Sequence, residues 1–260
     1  MARKSAPDPI EAPPSEPKPT QATPNATATP SYEYLSGIID VSHWEYDAQH
    51  GRIASALLEA RDAGVVAVIA KATQGKDGSD ASFPAWVDAC AKLGLLFGAY
   101  HFGSNTEDGD KQADWFFKHV AAAGCDPMRT ALMLDFERDP EPSLTMTLEQ
   151  ARAFAERVKE VRGWAPLLYG DTSFLGQIIE PDDAIGMCPL FPAMYGGSMA
   201  PGHGPKVPPA WAKRGWTLWQ YTDGTYGAMG LPMHTHGFGG IDRSVFKGSL
   251  EQLRAAWPRF

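Results

Sequence analysis

Two acidic residues that stand two positions apart, Asp135 and Glu137, have the clearest capacity for chemistry in this sequence. They end an apolar run, 130–136, that has the length and composition of a buried β-strand. Side chains two residues apart on a strand point to the same face, so both carboxyl groups are expected to enter one space. Placing two like charges together away from water is destabilising unless one group is protonated, which favours a functional role over a structural one.

The chemistry that uses two neighbouring carboxyl groups with separated pKa values is the hydrolysis of a glycosidic bond. One carboxyl group stays protonated and gives its proton to the leaving oxygen, while the other stays ionised and supports the developing positive charge. The spacing of Asp135 and Glu137 does not choose between retention and inversion at the anomeric carbon, because rotamers can bring strand neighbours together or apart.

Two further acidic residues, Asp40 and Asp242, also stand at predicted strand ends. Each has a simpler interpretation, because Asp40 could hold the turn that follows it and Asp242 could cap a helix containing Val245 to Leu253. Aromatic residues occur at or near the same predicted ends, where their rings and hydroxyl groups suit the binding of sugars. These candidate sugar contacts are Tyr100, Tyr169, Tyr195, Trp219 and Tyr221.

The chain from Gly37 onward alternates between apolar strands and helical stretches. Four strand–helix alternations in a row predict right-handed crossovers and a parallel sheet, and the last three strand candidates stand among Gly- and Pro-rich loops. Eight strands in total predict an α/β fold, a closed TIM-barrel-like domain with fewer helices in its second half. The predicted strands are 37–41, 65–70, 95–102, 130–136, 167–169, 190–195, 216–221 and 240–242, and the predicted helices are 53–63, 84–93, 109–123 and 147–161.

Residues 1–36 differ from the rest of the chain, because eight prolines stand there among Ala, Thr, Ser and Glu. Such a segment buries too little apolar surface to offset its ordering entropy, so we expect a disordered tail or linker. It could also tether the chain to a partner. The remaining residues, 37–260, are then expected to form one catalytic domain.

The bulk composition argues against several classes of partner. A formal net charge of −8 and a pI of about 5.3 give no global attraction for nucleic acid or anionic lipid. No stretch approaches the ~18 consecutive apolar residues that a membrane span needs, and no Sec signal peptide is evident. The three cysteines, Cys90, Cys125 and Cys188, form no pairing pattern and are expected to behave as small apolar residues.

An ordered set of motifs resembles glycoside hydrolase family 25, the Chalaropsis-type lysozymes. Each motif is weak alone, but they occur in the family's order from Gly37 to about Leu253. They are Gly37–Trp44 (GIIDVSHW), Lys71–Gly75 (KATQG), Gly98–Phe102 (GAYHF), Leu134–Glu137 (LDFE), Leu168–Gly170 (LYG), Trp219–Thr222 (WQYT) and Ile241–Phe246 (IDRSVF). One departure is Phe191, which stands where the family usually has Trp and leaves the sugar contacts there open.

The resemblance implies a flattened barrel that cleaves the β-1,4 bond between N-acetylmuramic acid and N-acetylglucosamine in peptidoglycan, without a metal or cofactor. It implies that Glu137 is the general acid and that Asp135 orients the substrate's 2-acetamido group. Asp40 and Asp242 would complete the acidic cluster. The residues expected to contact substrate are Lys71, Tyr100, His101, Tyr169, Tyr195, Trp219, Gln220 and Tyr221.

On this resemblance the enzyme is expected to act on the cell wall, with glycan strands as its binding partner. The absence of a visible signal peptide fits a phage endolysin, a particle-associated enzyme or a secreted enzyme without its leader.

Other functions are compatible with parts of the sequence. A chitinase-like glycosidase needs a further acid two residues before Asp135, where Met133 stands instead. A non-catalytic peptidoglycan- or chitin-binding barrel is expected to have lost Asp135 or Glu137. A metal-dependent hydrolase could use His234 and His236, but no paired acid stands near them. A serine hydrolase is not indicated, because no Gly-x-Ser-x-Gly motif occurs.

Overall fold

The structure is a computed structural model that describes residues 34–50, 52–196 and 204–260 of the 260-residue chain. The predicted tail, residues 1–36, lies outside these ranges except for its last three residues. Those three residues belong to the first strand, because Tyr34 and Leu35 pair with Lys247 and Phe246 near the other end of the chain. The composition of the segment could not reveal this boundary, since the pairing partner is remote in sequence.

Eight strands close into a barrel, as predicted from the sequence. In chain order the strands are β1 Tyr34–Val41, β2 Ala67–Gln74, β3 Gly78–Ser79, β4 Leu96–Phe102, β5 Ala131–Asp135, β6 Leu167–Asp171, β7 Leu190–Ala193, β8 Leu218–Asp223, β9 His234–Thr235, β10 Gly239–Gly240 and β11 Asp242–Lys247. The order around the barrel is β1–β11–β8–β7–β6–β5–β4–β2, and β2 pairs back onto β1. β3 extends β2 as a hairpin, and β9 with β10 forms a separate two-stranded ribbon.

Helices cover the outside of the barrel mainly in its first half. They are α1 His43–Ala48, α2 Ile53–Asp62, α3 Phe83–Leu93, α4 Gly109–Ala122, α5 Leu148–Arg162, α6 Thr172–Ile178 and α7 Leu250–Ala256. Between β6 and β11, the only helical segments among the described residues are α6 and two 3-10 turns. The predicted scarcity of helices in this half is therefore confirmed. Within the described ranges, no helix has the length and apolar character needed to span a bilayer.

Local sequence signals set the ends of the longer helices. Thr147 and Gln150 form a reciprocal capping box at the start of α5, and Gly163 ends that helix in the left-handed conformation with φ of 83°. Gly109 begins α4 at a point of close contact, where an added Cβ would overlap the carbonyl oxygen of Gln150. Glycine is therefore required at this crossing for α4 to pack against α5.

The alternation of side chains along each strand divides the apolar residues into two layers. Ile38, Ile69 and Met133 point into the barrel, while Ile39 and Leu134 belong to the layer between the strands and the helices. Both layers are nearly free of solvent contact, which makes them the main source of hydrophobic stabilisation. At the edge where the parallel strands end, the acidic residues Asp40 and Asp135 take inward-facing positions.

The last barrel strand corrects the prediction of a wholly parallel sheet. The predicted strand 240–242 would end at Asp242, but β11 begins there and runs antiparallel to both β1 and β8. Val245 therefore lies in a strand, and the helix predicted from it starts later, with Ser249 capping α7. A strand in this place hydrogen-bonds to two strands that would otherwise have open edges. Because an antiparallel strand starts where its parallel neighbours end, Asp242 still reaches the predicted edge.

Candidate active site

A cavity of about 260 Å³ opens at the edge of the barrel where the parallel strands end. Active sites of (β/α) barrels are found at this edge. The cavity is lined by acidic, aromatic and hydroxyl-bearing side chains together with one lysine. The lining residues are Asp40, Ser42, Trp44, Lys71, Tyr100, Phe102, Met133, Asp135, Glu137, Tyr169, Tyr195 and Asp242. All four carboxyl groups singled out in the sequence therefore border one space.

Strand alternation brings Asp135 and Glu137 into this space together. Met133 points into the barrel core two residues before Asp135, and Glu137 continues the same alternation just beyond the end of β5. The intervening Leu134 and Phe136 are fully buried in the opposite layer, beneath the helices. The structure therefore agrees with the prediction, made from their two-residue spacing, that Asp135 and Glu137 enter one space.

The Asp135–Glu137 pair lies in an environment that disfavours two negative charges. Burial raises the pKa of Asp135 well above its ordinary value, and the charge of Glu137 raises it further. Burial also raises the pKa of Glu137, with the nearby charge of Asp171 adding to it. The ammonium group of Lys71 lowers both pKa values but is a single positive charge. The pair is therefore suited to hold a proton that it can donate.

The carboxyl group of Asp135 lines the cavity, and its buried Oδ1 atom has no hydrogen-bond partner among the described residues. Lys71 is held beside the pair by donating from Nζ to Gln74 Oε1 over 2.7 Å. Burial lowers the pKa of Lys71, while the charge of Asp135 raises it. A carboxyl group that lines a cavity is a natural acceptor for an N–H or O–H group of a bound molecule.

Asp40 and Asp242 form a second carboxyl pair on the other side of the cavity. Burial is the main cause of the raised pKa of both groups, followed for Asp242 by the charge of Asp40. Their mutual hydrogen bond raises the pKa of Asp242 and lowers that of Asp40, so Asp242 donates to Asp40 when only one of the two groups is protonated. Gln220 Nε2 supports the Asp40 carboxylate from 3.0 Å.

Three of the predicted aromatic contacts, Tyr100, Tyr169 and Tyr195, line the cavity. Burial raises the pKa of each hydroxyl group, so all three remain neutral at physiological pH. Phe191 packs edge-on against the ring of Tyr169, with centroids 5.3 Å apart, and is fully buried. The position where the family usually has Trp therefore supports the cavity wall from behind and does not contact the cavity.

His101, predicted to contact substrate, lies outside the cavity. It follows Tyr100 on β4 and therefore points to the opposite face, where its ring stacks on Phe154 at 5.1 Å. Its Nδ1 atom lies 2.8 Å from Thr73 Oγ1, and its Nε2 atom lies 3.0 Å from Gln112 Oε1. Burial lowers the pKa of His101 to about 4, so the ring is a neutral core side chain.

Trp219 and Tyr221, also predicted to contact substrate, lie outside the cavity for the same reason. They flank Gln220 on β8 and point outward into an apolar cluster that includes Val245. Trp219 Nε1 donates to the carbonyl oxygen of Met194 over 2.8 Å, and both rings are fully buried. Gln220 points inward but is only 1% exposed, so it stands behind the cavity wall and does not line it.

Trp44 is a cavity residue that the analysis of single residues did not identify. It lies at the rim with 71% of its surface exposed, in the first turn of α1. Ser42 and Glu45 form the capping box of this helix, and Ser42 Oγ accepts from the Trp44 backbone N–H. The S-x-x-E pattern directly after β1 was the available signal, because it predicts a helix that starts at the active-site edge. Phe102 and Met133 also line the cavity and gave no separate signal.

A second cavity of about 320 Å³ adjoins the first at Lys71 and is formed largely by the β2–β3 hairpin. His43, Lys76 and Asp80 contribute polar groups to it. The two histidines considered above as metal ligands lie in or beside β9, away from the residues that line either cavity. Within the described ranges, no group of three or more His, Cys, Asp or Glu side chains is arranged to hold a metal ion.

The fold and the site together define a class of protein. A (β/α) barrel whose active-site edge holds partly protonated carboxyl pairs beside aromatic side chains has the equipment of a glycoside hydrolase. The family model for glycosyl hydrolases family 25 matches residues 39–228, and the chain belongs to that family. The resemblance seen in the ordered motifs is confirmed.

Individual relatives agree with this assignment. Lysozyme M1 of Streptomyces globisporus is 27% identical over 226 residues, which are 84% of this chain and 69% of that protein. The bacterial lysozyme of Streptomyces coelicolor is 26% identical with a TM-score of 0.67, covering 88% of this chain and 99% of the other. The muramidase of Trichobolus zukalii is 27% identical with a TM-score of 0.64, covering 85% and 98%. The chain is thus a lysozyme-type glycoside hydrolase.

Proposed function

We propose that this enzyme hydrolyses the β-1,4 bond between N-acetylmuramic acid and N-acetylglucosamine in peptidoglycan. The observation that carries the proposal is the pairing of Glu137, whose pKa is raised by burial, with the buried carboxyl group of Asp135 at the same cavity. One group can give a proton, and the other can accept a hydrogen bond from the sugar. The wall polymer and its site of action follow from the lysozyme family to which the chain belongs.

Glu137 acts as the general acid in this proposal. It gives its proton to the glycosidic oxygen as the bond from that oxygen to C1 breaks, and the bonding electron pair leaves with the oxygen. The carbonyl oxygen of the 2-acetamido group forms a new bond to C1 and closes a five-membered ring. The Glu137 carboxylate then takes a proton from water as the water oxygen attacks C1, which opens the ring and restores the acid. Two displacements at C1 give net retention of the β-configuration.

Asp135 orients the acetamido group through its carboxylate, which lines the cavity and accepts the amide N–H. This hydrogen bond favours the ionised form of Asp135, and that preference leaves the proton of the pair on Glu137. When the acetamido group closes its ring, positive charge develops on its nitrogen, and the Asp135 carboxylate stabilises it. The positive charge of Lys71 offsets part of the negative charge of the pair throughout these steps.

The remaining lining residues bind the sugars. The exposed ring of Trp44 at the rim offers a flat apolar face for a pyranose ring. Asp40, Tyr169 and Tyr195 offer oxygen atoms for hydrogen bonds with sugar hydroxyl groups. The cavity that adjoins at Lys71 gives a longer glycan or its peptide substituents additional room.

The test is a digestion of purified peptidoglycan by the wild-type enzyme and by Glu137→Gln, with borohydride reduction and mass spectrometry of the fragments. We expect the wild type to release fragments that end in reduced N-acetylmuramic acid. Glu137→Gln should release none, whereas the control Glu180→Gln, which changes an exposed carboxyl group, should release them like the wild type. Fragments that end in reduced N-acetylglucosamine would refute the proposed bond. Wall binding without cleavage by the wild type would point to a non-catalytic barrel, and cleavage that survives Glu137→Gln would mean that another residue is the acid.

A further inference from the structure

Gln220 is almost fully buried behind the cavity wall, yet it bonds to three side chains that line the cavity. Its Nε2 atom lies 3.0 Å from each carboxylate oxygen of Asp40. Its Oε1 atom accepts hydrogen bonds from Tyr169 Oη at 2.7 Å and from Tyr195 Oη at 2.8 Å. A single amide on β8 therefore connects side chains from β1, from β6 and from the residues just after β7.

The amide of Gln220 has one chemically favoured orientation. A carboxylate only accepts hydrogen bonds, and Nε2 of Gln220 lies 3.0 Å from both carboxyl oxygens of Asp40, whose pKa burial raises to about 7. The reversed amide would place Oε1 against the oxygens of Asp40, leaving acceptors facing acceptors away from water. Asp40 thus sets the direction of the amide, and the amide in turn sets the direction of the two tyrosine hydroxyl groups.

The orientation of the amide decides which hydrogen bonds this wall can offer to a ligand. Each tyrosine hydroxyl group has one proton, and Gln220 Oε1 receives both. Only lone pairs remain on the two Oη atoms, and Asp40 next to them is a carboxylate above its pKa of about 7. This part of the wall therefore presents acceptors, whereas the ammonium group of Lys71 supplies a donor elsewhere in the lining.

We propose that Gln220 is a positioning residue that makes this wall an all-acceptor surface, which selects sugar hydroxyl and amide N–H groups as its partners. The inference rests on the proposed function for the identity of the sugar, but the orienting role needs only the hydrogen bonds above. Gln220 itself does not touch the substrate. Its loss should release both tyrosine protons toward the cavity and remove the donor that holds the Asp40 carboxylate.

The first test replaces the amide with an apolar side chain of similar length, Gln220→Met, and measures kcat and KM on peptidoglycan fragments. The matched control is Gln112→Met, because Gln112 is also a fully buried glutamine with several hydrogen bonds, but it lies outside the cavity. We expect kcat/KM to fall about 10- to 100-fold in Gln220→Met, the scale of misplaced active-site groups, and less than threefold in Gln112→Met. Equal losses in both variants, at matched thermal stability, would overturn the proposal.

A second variant, Gln220→Glu, separates orientation from simple packing. A protonated carboxyl group has the shape of the amide and can donate to Asp40 while accepting from Tyr169 and Tyr195. The introduced carboxyl group faces those three residues, and Asp242, Asp135 and Glu137 belong to the same acidic cluster as Asp40. These acidic neighbours favour its protonated form. Activity relative to wild type should therefore approach one at acid pH and fall at least tenfold as the introduced group ionises. A ratio that does not change with pH would contradict the orienting role.

A double-mutant comparison completes the test. If Gln220 acts by directing the hydroxyl of Tyr169, the two substitutions should not add up. The double variant Gln220→Met/Tyr169→Phe should then be little less active than the less active single variant. Losses that multiply would show independent roles and overturn the proposal. Failure of the wild type to cleave peptidoglycan would instead refute the proposed function, so the two failures are distinguishable.

Discussion

Replacing Asp135 with asparagine should stabilise the protein while removing its activity. Asp135 is 7% exposed, its Oδ1 has no hydrogen-bond partner among the described residues, and the carboxyl group of Glu137 is its neighbour. Asparagine keeps the shape, removes one of two like charges and adds an N–H donor that can face Glu137. Active sites commonly sacrifice stability in this way for function.

The size and pH dependence of the effect follow from the position of the group. A buried polar group without its partners destabilises a protein by about 1–3 kcal/mol, so Asp135→Asn should recover about that much near pH 7. For a domain of this size the gain corresponds to a rise in Tm of about 2–12 °C. The folded pKa of Asp135 is raised above its ordinary value of 3.8. Wild-type stability from this group is therefore complete below that value and is lost as pH rises through the folded pKa, so the advantage of the variant grows with pH.

Urea unfolding followed by tryptophan fluorescence, at pH 4 and at pH 7.5, measures this advantage directly. The matched control is Asp182→Asn, an exposed carboxyl group that should change stability by less than about 0.5 kcal/mol. Cleavage of peptidoglycan is assayed on the same samples. A loss of stability in Asp135→Asn at pH 7.5, or an equal gain at both pH values, would refute the view that burial of an ionised Asp135 destabilises the protein.

Three further predictions concern other parts of the molecule. The pKa of His101 is lowered from 6.5 to about 4, so the unfolding free energy should fall as pH drops through this range, and urea unfolding of His101→Gln should show a shallower fall than wild type. Gly109→Ala should destabilise the α4–α5 contact by about 1–3 kcal/mol, as judged by urea midpoint. Gly176→Ala, whose Cβ would meet only Pro208 at 4.0 Å, should not destabilise the protein. Trp44→Ala should raise KM severalfold, in line with about 0.5–1.5 kcal/mol of ring stacking, without lowering Tm; an unchanged KM would exclude Trp44 as a sugar platform.

The parts of the site that depend on local geometry could be predicted from the sequence. The shared face of Asp135 and Glu137 follows from the two-residue period of a strand, which needs no knowledge of the rest of the fold. The same period explains why His101, Trp219 and Tyr221 lie elsewhere. These contacts were predicted from motifs and, for the two aromatic residues, from their place near a strand end. Both criteria include residues of either face of a strand.

The parts that depend on contacts between remote segments could not be predicted. The direction of β11 is set by its pairing with β1 and β8, and a short polar-to-apolar stretch after Asp242 does not reveal it. Gln220 likewise acquires its role only where β8 meets side chains carried by other strands. Its sequence neighbours, two buried aromatic residues, gave no sign of a buried polar network.

The most direct test of the account is the crystal structure of Glu137→Gln with a bound peptidoglycan tetrasaccharide. The account predicts that the side chain of residue 137 lies within hydrogen-bonding distance, about 2.6–3.2 Å, of the glycosidic oxygen that follows N-acetylmuramic acid. It also predicts that Asp135 accepts the acetamido N–H of the same sugar. A glycan bound away from this carboxyl pair, or one whose N-acetylglucosamine occupies that position, would contradict the assignment of this cavity as a muramidase active site.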